Sequence, residues 1–412
     1  MRVADASDVS RVVNLARENG AELAVRSGGH SRAGYGTSEG GIVLDLSAMN
    51  GVEIDAEGRT AWAQTGAKAG DYTEATGEHG LATGLGDTAT VGVGGITLSG
   101  GLGFLVRRNG LTIDDVLGAE VVTAGGQILE VDEETHADLF WALRGGGGNF
   151  GVATRLRFRL HEIDRVVGGL LVLPASNGVM TGLIDAADAA PEGLSMIANV
   201  IKAPPLPFIP PEQHGKPVVM ASMVFAGDAE AGAQAIAPIR ALAPPIADMV
   251  HPIRYREMYE GPQHPRPGFD TGTNLLVNRF TSEAPEAILE HLATSTAHMA
   301  YTQLRVLGGA VARVPDRATA FGHRGAKMML NVAAMYANPD EGPEHKAWVD
   351  SLATALSDGT DAAYVGFLGD DGDQSLRRAY PPATLERLAE VKRRYDPDDL
   401  FHRNLNVHPA VK

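Results

Sequence analysis

The chain contains no cysteine, which rules out disulfides, thiolate metal sites and a cysteine nucleophile. Positive charge is also scarce, with 35 Lys and Arg against 51 Asp and Glu and a net charge of −16. Binding nucleic acid takes a basic face that neutralises phosphates, so no nucleic-acid partner is expected. No apolar run reaches the length of a membrane span, and the opening MRVADASDVS lacks the charged-then-apolar pattern of a secretory leader. No membrane partner is expected, and the cytoplasm is the default location. A Gly-Lys-Ser/Thr phosphate loop is missing too, since Gly215-Lys216 runs into Pro217, which argues against a nucleotide hydrolase. Nothing in the sequence calls for a metal.

What is abundant is glycine, 50 residues in 412, gathered into particular loops. The first is residues 23–33, LAVRSGGHSRA. A short apolar run reads as a buried strand that stops at Arg26. The paired glycines that follow permit a turn in which successive N–H groups point at an anion. Arg26 adds a fixed positive charge, and His30 stands beside the turn. The local chemistry is that of a phosphate or pyrophosphate cradle with one imidazole next to it.

The second loop is residues 84–103, GLGDTATVGVGGITLSGGLG. Such density is too high for a regular helix or strand interior and fits either a flexible linker or a backbone that approaches a ligand closely. The apolar Val91, Val93, Ile96 and Leu98 favour the ligand. The third, residues 145–151, formally contains G-x-G-x-x-G. A dinucleotide fingerprint needs a strand before and a helix after. Here the preceding ADLFWAL is helix-like, and the following Leu156, Phe158 and Leu160 alternate with arginines as in a strand. The order is reversed, so this is no Rossmann site.

At this length two or three domains are expected. Asp5 or Ser7 caps a first helix ending at Gly20, a hairpin spans 52–65, and a helix covers 68–79. From about residue 165 strand-like and helix-like runs alternate: strands near 167–173, 196–201, 218–225, 304–307 and 328–335, and helices near 179–189, 229–242, 285–294 and 343–356. A last helix covers 383–394, stopped at Asp396-Pro397.

Four stretches taken together, RSGGHS (26–31), TVGVGGITLSGGLG (90–103), DLFWALRGGGGNFGV (138–152) and KRRYDPDDLFHRNLNV (392–407), resemble the berberine-bridge-enzyme-like branch of the vanillyl-alcohol-oxidase flavoproteins. Their order and spacing also fit, and the resemblance covers nearly the whole chain. It implies an α+β fold in which a PCMH-type two-subdomain FAD-binding domain, residues 1–164, precedes a central substrate domain, 165–367. That domain is an antiparallel sheet flanked by helices, and a tail, 368–412, returns to the FAD domain. It places the pyrophosphate and ribityl chain near Arg26, Ser27, Gly28, Gly29, His30 and Ser31 and near Thr90, Val91, Gly94 and Gly95. Gly148 and Val152 come near the adenosine end, and Asn404 and Asn406 near the isoalloxazine. His30 falls on the position that bonds covalently to the flavin 8α-methyl carbon, where a neutral imidazole nitrogen attacks an electrophilic methide.

Three departures from the family pattern stand out. The cysteine that often makes a second flavin bond is replaced by Thr88, so at most one link forms. The catalytic tyrosine of the usual Asn-Tyr pair is replaced in Gly366-Phe367. The chain also begins at what looks like the family's second strand, so the family's N-terminal strand and helix are expected to be absent from it. The implied activity is hydride transfer from a small alcohol, sugar or amine to flavin N5, with oxygen as the expected acceptor. A dehydrogenase of the same fold and a catalytically decayed flavin-binding protein are the alternatives. Oxidation needs a base for an O–H or N–H proton. Tyr380 and His323 are the first candidates, followed by Tyr364, with Lys327 and Asn331 as polar groups of the substrate pocket.

Overall fold

A computed structural model describes residues 1–260, 268–369 and 372–411. The first helix, Ala6–Asn19, begins where the Asp8 N–H donates to Asp5 Oδ1 at 2.8 Å. It ends at Gly20, whose φ of 60° is the left-handed conformation that glycine adopts at no steric cost. Its buried face of Val9, Val12, Val13 and Ala16 packs on a parallel strand pair, Leu23–Arg26 with Ile42–Asp45.

A five-stranded antiparallel sheet comes next, in the order Val52–Asp55, Thr60–Gln64, Val152–Arg159, Val116–Val122, Ile128–Val131. Alternation along Val152–Arg159 buries Leu156 and Phe158 and leaves Arg157 and Arg159 exposed, the pattern of a sheet with one wet face. The glycine-rich residues 84–103 are not wholly irregular, because Val93–Leu98 forms a short helix. Its two glycines sit in different surroundings. A Cβ on Gly94 would come within 2.8 Å of the Thr65 side chain, while Gly95 faces open space.

The second body is an eight-stranded sheet. Its order is Ala247–Asp248, Arg165–Pro174, Pro217–Phe225, Leu194–Lys202, Met299–Val306, Met328–Tyr336, Phe269–Val277, with His251–Arg254 added beside Arg165–Pro174. Helices Asn177–Ala189, Ala284–Thr294 and Gly342–Leu356 bury one face of it. On Met328–Tyr336 the residues Met328, Leu330, Val332 and Ala334 join that core. Met329, Asn331 and Ala333 therefore point the other way.

The tail helix Pro382–Tyr395 packs on Ala137–Leu143 and adds Leu388 and Val391 to the core that holds Leu139 and Phe140. Beyond it the chain turns around a buried cation. Lys392 is fully buried, and its Nζ lies 2.7 Å from Asp396 Oδ2, 2.9 Å from Asp399 Oδ1 and 3.0 Å from the Phe401 carbonyl. Asp396 also accepts the N–H groups of Leu400 and Phe401, each at 2.8 Å. This cluster fixes the path of residues 396–407. No helix among the described residues is long and apolar enough to cross a membrane.

Candidate active site

A cleft of about 960 Å³ separates the cradle loops from the open face of the large sheet. Its floor comes from residues 26–31 and 88–95, and it is built by backbone packed on backbone. A methyl group at Gly28 would collide with the Gly92 backbone nitrogen, and one at Gly92 would collide with Gly28. Ser27 Oγ donates to the Thr65 carbonyl, which also accepts the Gly94 N–H at 3.1 Å, so residue 65 ties the same two segments together. Gly29, with φ of 71°, brings the turn under the Arg26 guanidinium, which a Cβ there would meet at 3.1 Å. Gly95 and Gly148 have nothing within 4 Å of where a side chain would begin, so the backbone is open to the cleft at both ends. Side chains are excluded where the loops meet and absent where the cavity begins, which suits an extended ligand with an anionic centre.

The opposite wall is polar and preorganised. Met299–Val306 presents Tyr301, Gln303 and Arg305 at every second position, and Asn331 and Asp270 come from the neighbouring strands. Arg305 is 4% exposed. Its guanidinium reaches Asp87 Oδ2 at 2.6 Å, Gln303 Oε1 at 2.8 Å and the Leu102 carbonyl at 3.2 Å. The guanidinium carbon also lies 5.3 Å from the Phe367 ring centroid. Gln303 Nε2 in turn donates to Asn199 Oδ1 at 3.0 Å. A second ion pair, Arg32 Nε with Asp270 Oδ2 at 2.6 Å, closes the wall on the cradle side.

The structure brings most of the sequence candidates to this cleft. Arg26, Ser27, Gly28, Gly29, His30, Ser31, Thr88, Thr90, Val91, Gly94, Gly95, Gly148, Val152, Asn404, Asn331, Tyr364 and Tyr380 all line it. Three do not. His323 Nε2–H donates to the Arg378 carbonyl at 3.0 Å, and burial depresses its pKa, so the ring is held neutral away from the wall. Lys327 immediately precedes the strand Met328–Tyr336, and the Asn406 amide donates to Asp399 Oδ2 at 2.9 Å. Both are outside the lining.

The two tyrosines in the wall keep their protons. Tyr364 is buried, with its hydroxyl accepting the Gly101 N–H at 3.0 Å, and burial pushes its pKa to about 12. Asn274 holds the Tyr364 backbone at both ends, donating to its carbonyl at 3.0 Å and accepting its N–H at 2.7 Å. Tyr380 donates to the Gly145 carbonyl at 3.2 Å, and burial raises its pKa further still. Neither phenol is a ready proton acceptor at neutral pH.

Sequence reasoning missed Asp87, Arg305, Gln303, Tyr301, Arg32 and Asp270. The alternation Tyr301-Gln303-Arg305 was a readable signal on a strand whose other residues are apolar or small. Nothing local marked Asp87 or Arg32, whose partners are more than 200 residues away. Among the described residues no cluster of three metal-ligating side chains occurs.

The residues present fit a flavin dinucleotide. The glycine floor suits the pyrophosphate, and the buried Asn404 Oδ1, which has no hydrogen-bond partner among the described residues, is available to a bound group on the tail side. The tail is tied to the third glycine loop through Asn149, which accepts the Val407 N–H at 2.9 Å.

Comparison with known proteins agrees. Residues 1–132 match the FAD binding domain family and residues 363–408 the berberine and berberine like family. The chain is 32% identical to (R)-6-hydroxynicotine oxidase of Paenarthrobacter nicotinovorans, over 99% of this chain and 90% of that one. It is 30% identical to xylooligosaccharide oxidase of Thermothelomyces thermophilus, over 98% of this chain and 85% of the relative. Among solved structures, 6-hydroxy-D-nicotine oxidase from Arthrobacter nicotinovorans superposes with a TM-score of 0.88 at 28% identity, covering 99% of this chain and 91% of that one.

Proposed function

Because this chain belongs to the berberine-bridge-enzyme-like FAD-linked oxidoreductases, we propose that it holds FAD along the cleft, bonded through His30, and oxidises a small alcohol, sugar or amine with oxygen as final acceptor. It is an FAD-dependent oxidoreductase; the attachment, the substrate classes and the acceptor are the proposal. The observation that carries it is the glycine floor of residues 26–31 and 88–95 with His30 in its wall, facing a polar sheet across one cleft.

Bound FAD would supply a two-electron acceptor, taking hydride at N5 while the substrate loses a proton. The chain's own groups supply the rest. Arg26 and the N–H groups beside Gly28, Gly29 and Gly95 would neutralise the pyrophosphate. Residues 1–164 and 368–412 hold the cofactor, and 165–367 present the substrate wall. Thr88 occupies the place of the second covalent link, and its hydroxyl donates to Asp87 Oδ1 at 3.1 Å instead. Tyr364, protonated below about pH 12, serves as a hydrogen-bonding group. Phe367 gives Arg305 an aromatic face at the position where the family resemblance implies a tyrosine.

The test is aerobic turnover against a panel of sugars, primary and secondary alcohols and cyclic amines, with peroxide measured alongside product. Equimolar peroxide is expected. Substrate-dependent reduction of a dye with no peroxide in air would overturn oxygen as acceptor.

A further inference from the structure

Among the described residues, two buried polar atoms in the cleft wall have no hydrogen-bond partner, Asn331 Oδ1 and Arg32 Nη1. Burying such atoms unmet costs about 1–3 kcal/mol each, so each points to a partner that arrives with a ligand.

Asn331 is 3% exposed, and the strand register sets it between Gln303 and Asn274. Both neighbouring amides are already engaged, Gln303 with Arg305 and Asn199, and Asn274 with the Tyr364 backbone. Arg32 leaves the cradle loop and enters the wall over Gly272, where any side chain would overlap its Nη1. Its Nε is spent on Asp270, and Nη1, lying over Gly272, is left without a partner among the described residues. Gly272 pairs with Ala333, and Asn274 with Asn331. The two sites are therefore successive same-face positions of one strand pair, about 7 Å apart along the sheet. The other wall arginine, Arg305, is occupied by Asp87, Gln303 and Leu102.

Building on the reading of the cleft as an FAD site, we propose that Arg32 and Asn331 form a two-point substrate clamp. Arg32 Nη1 donates to a carboxylate or carbonyl oxygen at one end of the substrate, and Asn331 Oδ1 accepts from an O–H or N–H at the other. The preferred substrate class is a short bifunctional molecule with an oxygen acceptor and a hydrogen-bond donor at opposite ends.

The clamp is tested on the holoenzyme by titrating the flavin absorption band with 4-hydroxybenzoate, benzoate and phenol, which carry both ends, the acceptor alone and the donor alone. 4-Hydroxybenzoate is expected to bind about tenfold or more tightly than either fragment. Asn331→Leu should reduce its affinity to that of benzoate while leaving benzoate unchanged. Arg32→Gln should reduce it to that of phenol while leaving phenol unchanged. Equal affinity of wild type for the three probes, or losses in the variants shared by all three, would overturn the clamp. So would purification of a folded Arg32→Gln protein without flavin, which would make Arg32 a cofactor anchor. Should Arg32→Gln fail to fold by circular dichroism, Asn331→Leu decides alone. Wild type that is folded but colourless is a separate result, which removes the FAD reading itself.

Discussion

Arg305 is a nearly buried cation whose guanidinium meets a carboxylate, an amide oxygen, a carbonyl and an aromatic ring. Only one of those partners carries charge, so Asp87→Asn leaves the cation without its counter-ion. Breaking a buried pair by removing one partner is strongly destabilising, and a loss of about 3 kcal/mol is expected in urea unfolding of the variant. Tyr364→Phe removes only the acceptor of the Gly101 N–H, a cost of about 1 kcal/mol. Its pH–rate profile should match wild type from pH 6 to 9, because that phenol ionises near pH 12; loss of a basic limb in the variant would instead assign Tyr364 to the chemistry. These residues show where sequence reading stopped. His30 and the glycines announce themselves by local pattern, whereas the roles of Asp87 and Arg32 come from partners 218 and 238 positions away, distances no motif spans.

At the scale of elements, the cleft depends on two glycine segments touching and on a tail that is tied back. The first condition was legible, because clustered glycine marks close backbone approach. The helix within residues 93–98 was not, since composition gave no sign that Gly94 packs on Thr65 while Gly95 faces a cavity. Gly28→Ala forces its methyl against the Gly92 backbone. Purified protein should keep its far-ultraviolet circular dichroism and lose most of its flavin. The second condition rests on Lys392. Lys392→Met leaves Asp396 and Asp399 facing each other without their cation, with an expected loss of about 3–5 kcal/mol. The tail and its Asn404 should detach, seen as rapid hydrogen exchange across residues 396–407 while the large sheet stays protected. Uniform exchange across the molecule would contradict that division.

For the whole molecule, the α+β architecture, the two strand-rich bodies and most element positions could be read from periodicity. The wall of the cleft could not, because which sheet face points inward is decided by the helices that cover the other. Burial also sets an alkaline limit. Tyr72, Tyr255, Tyr259, Tyr364 and Tyr380 are all pushed above the ordinary phenol value of 10.0 by desolvation. Their folded-state pKa values are raised, so the stabilising share is complete below pH 10 and is lost as pH climbs through about 12. The tyrosinate absorbance contributed by these five phenols should rise together with loss of circular dichroism in that window.

The most direct measurement of the central claim is to precipitate the purified protein in acid and follow the yellow colour. A pellet that stays yellow in wild type and turns white in His30→Ala, with flavin released to the supernatant, is the predicted result. Colour that leaves the wild-type pellet, or remains in the His30→Ala pellet, would contradict a flavin bonded through His30.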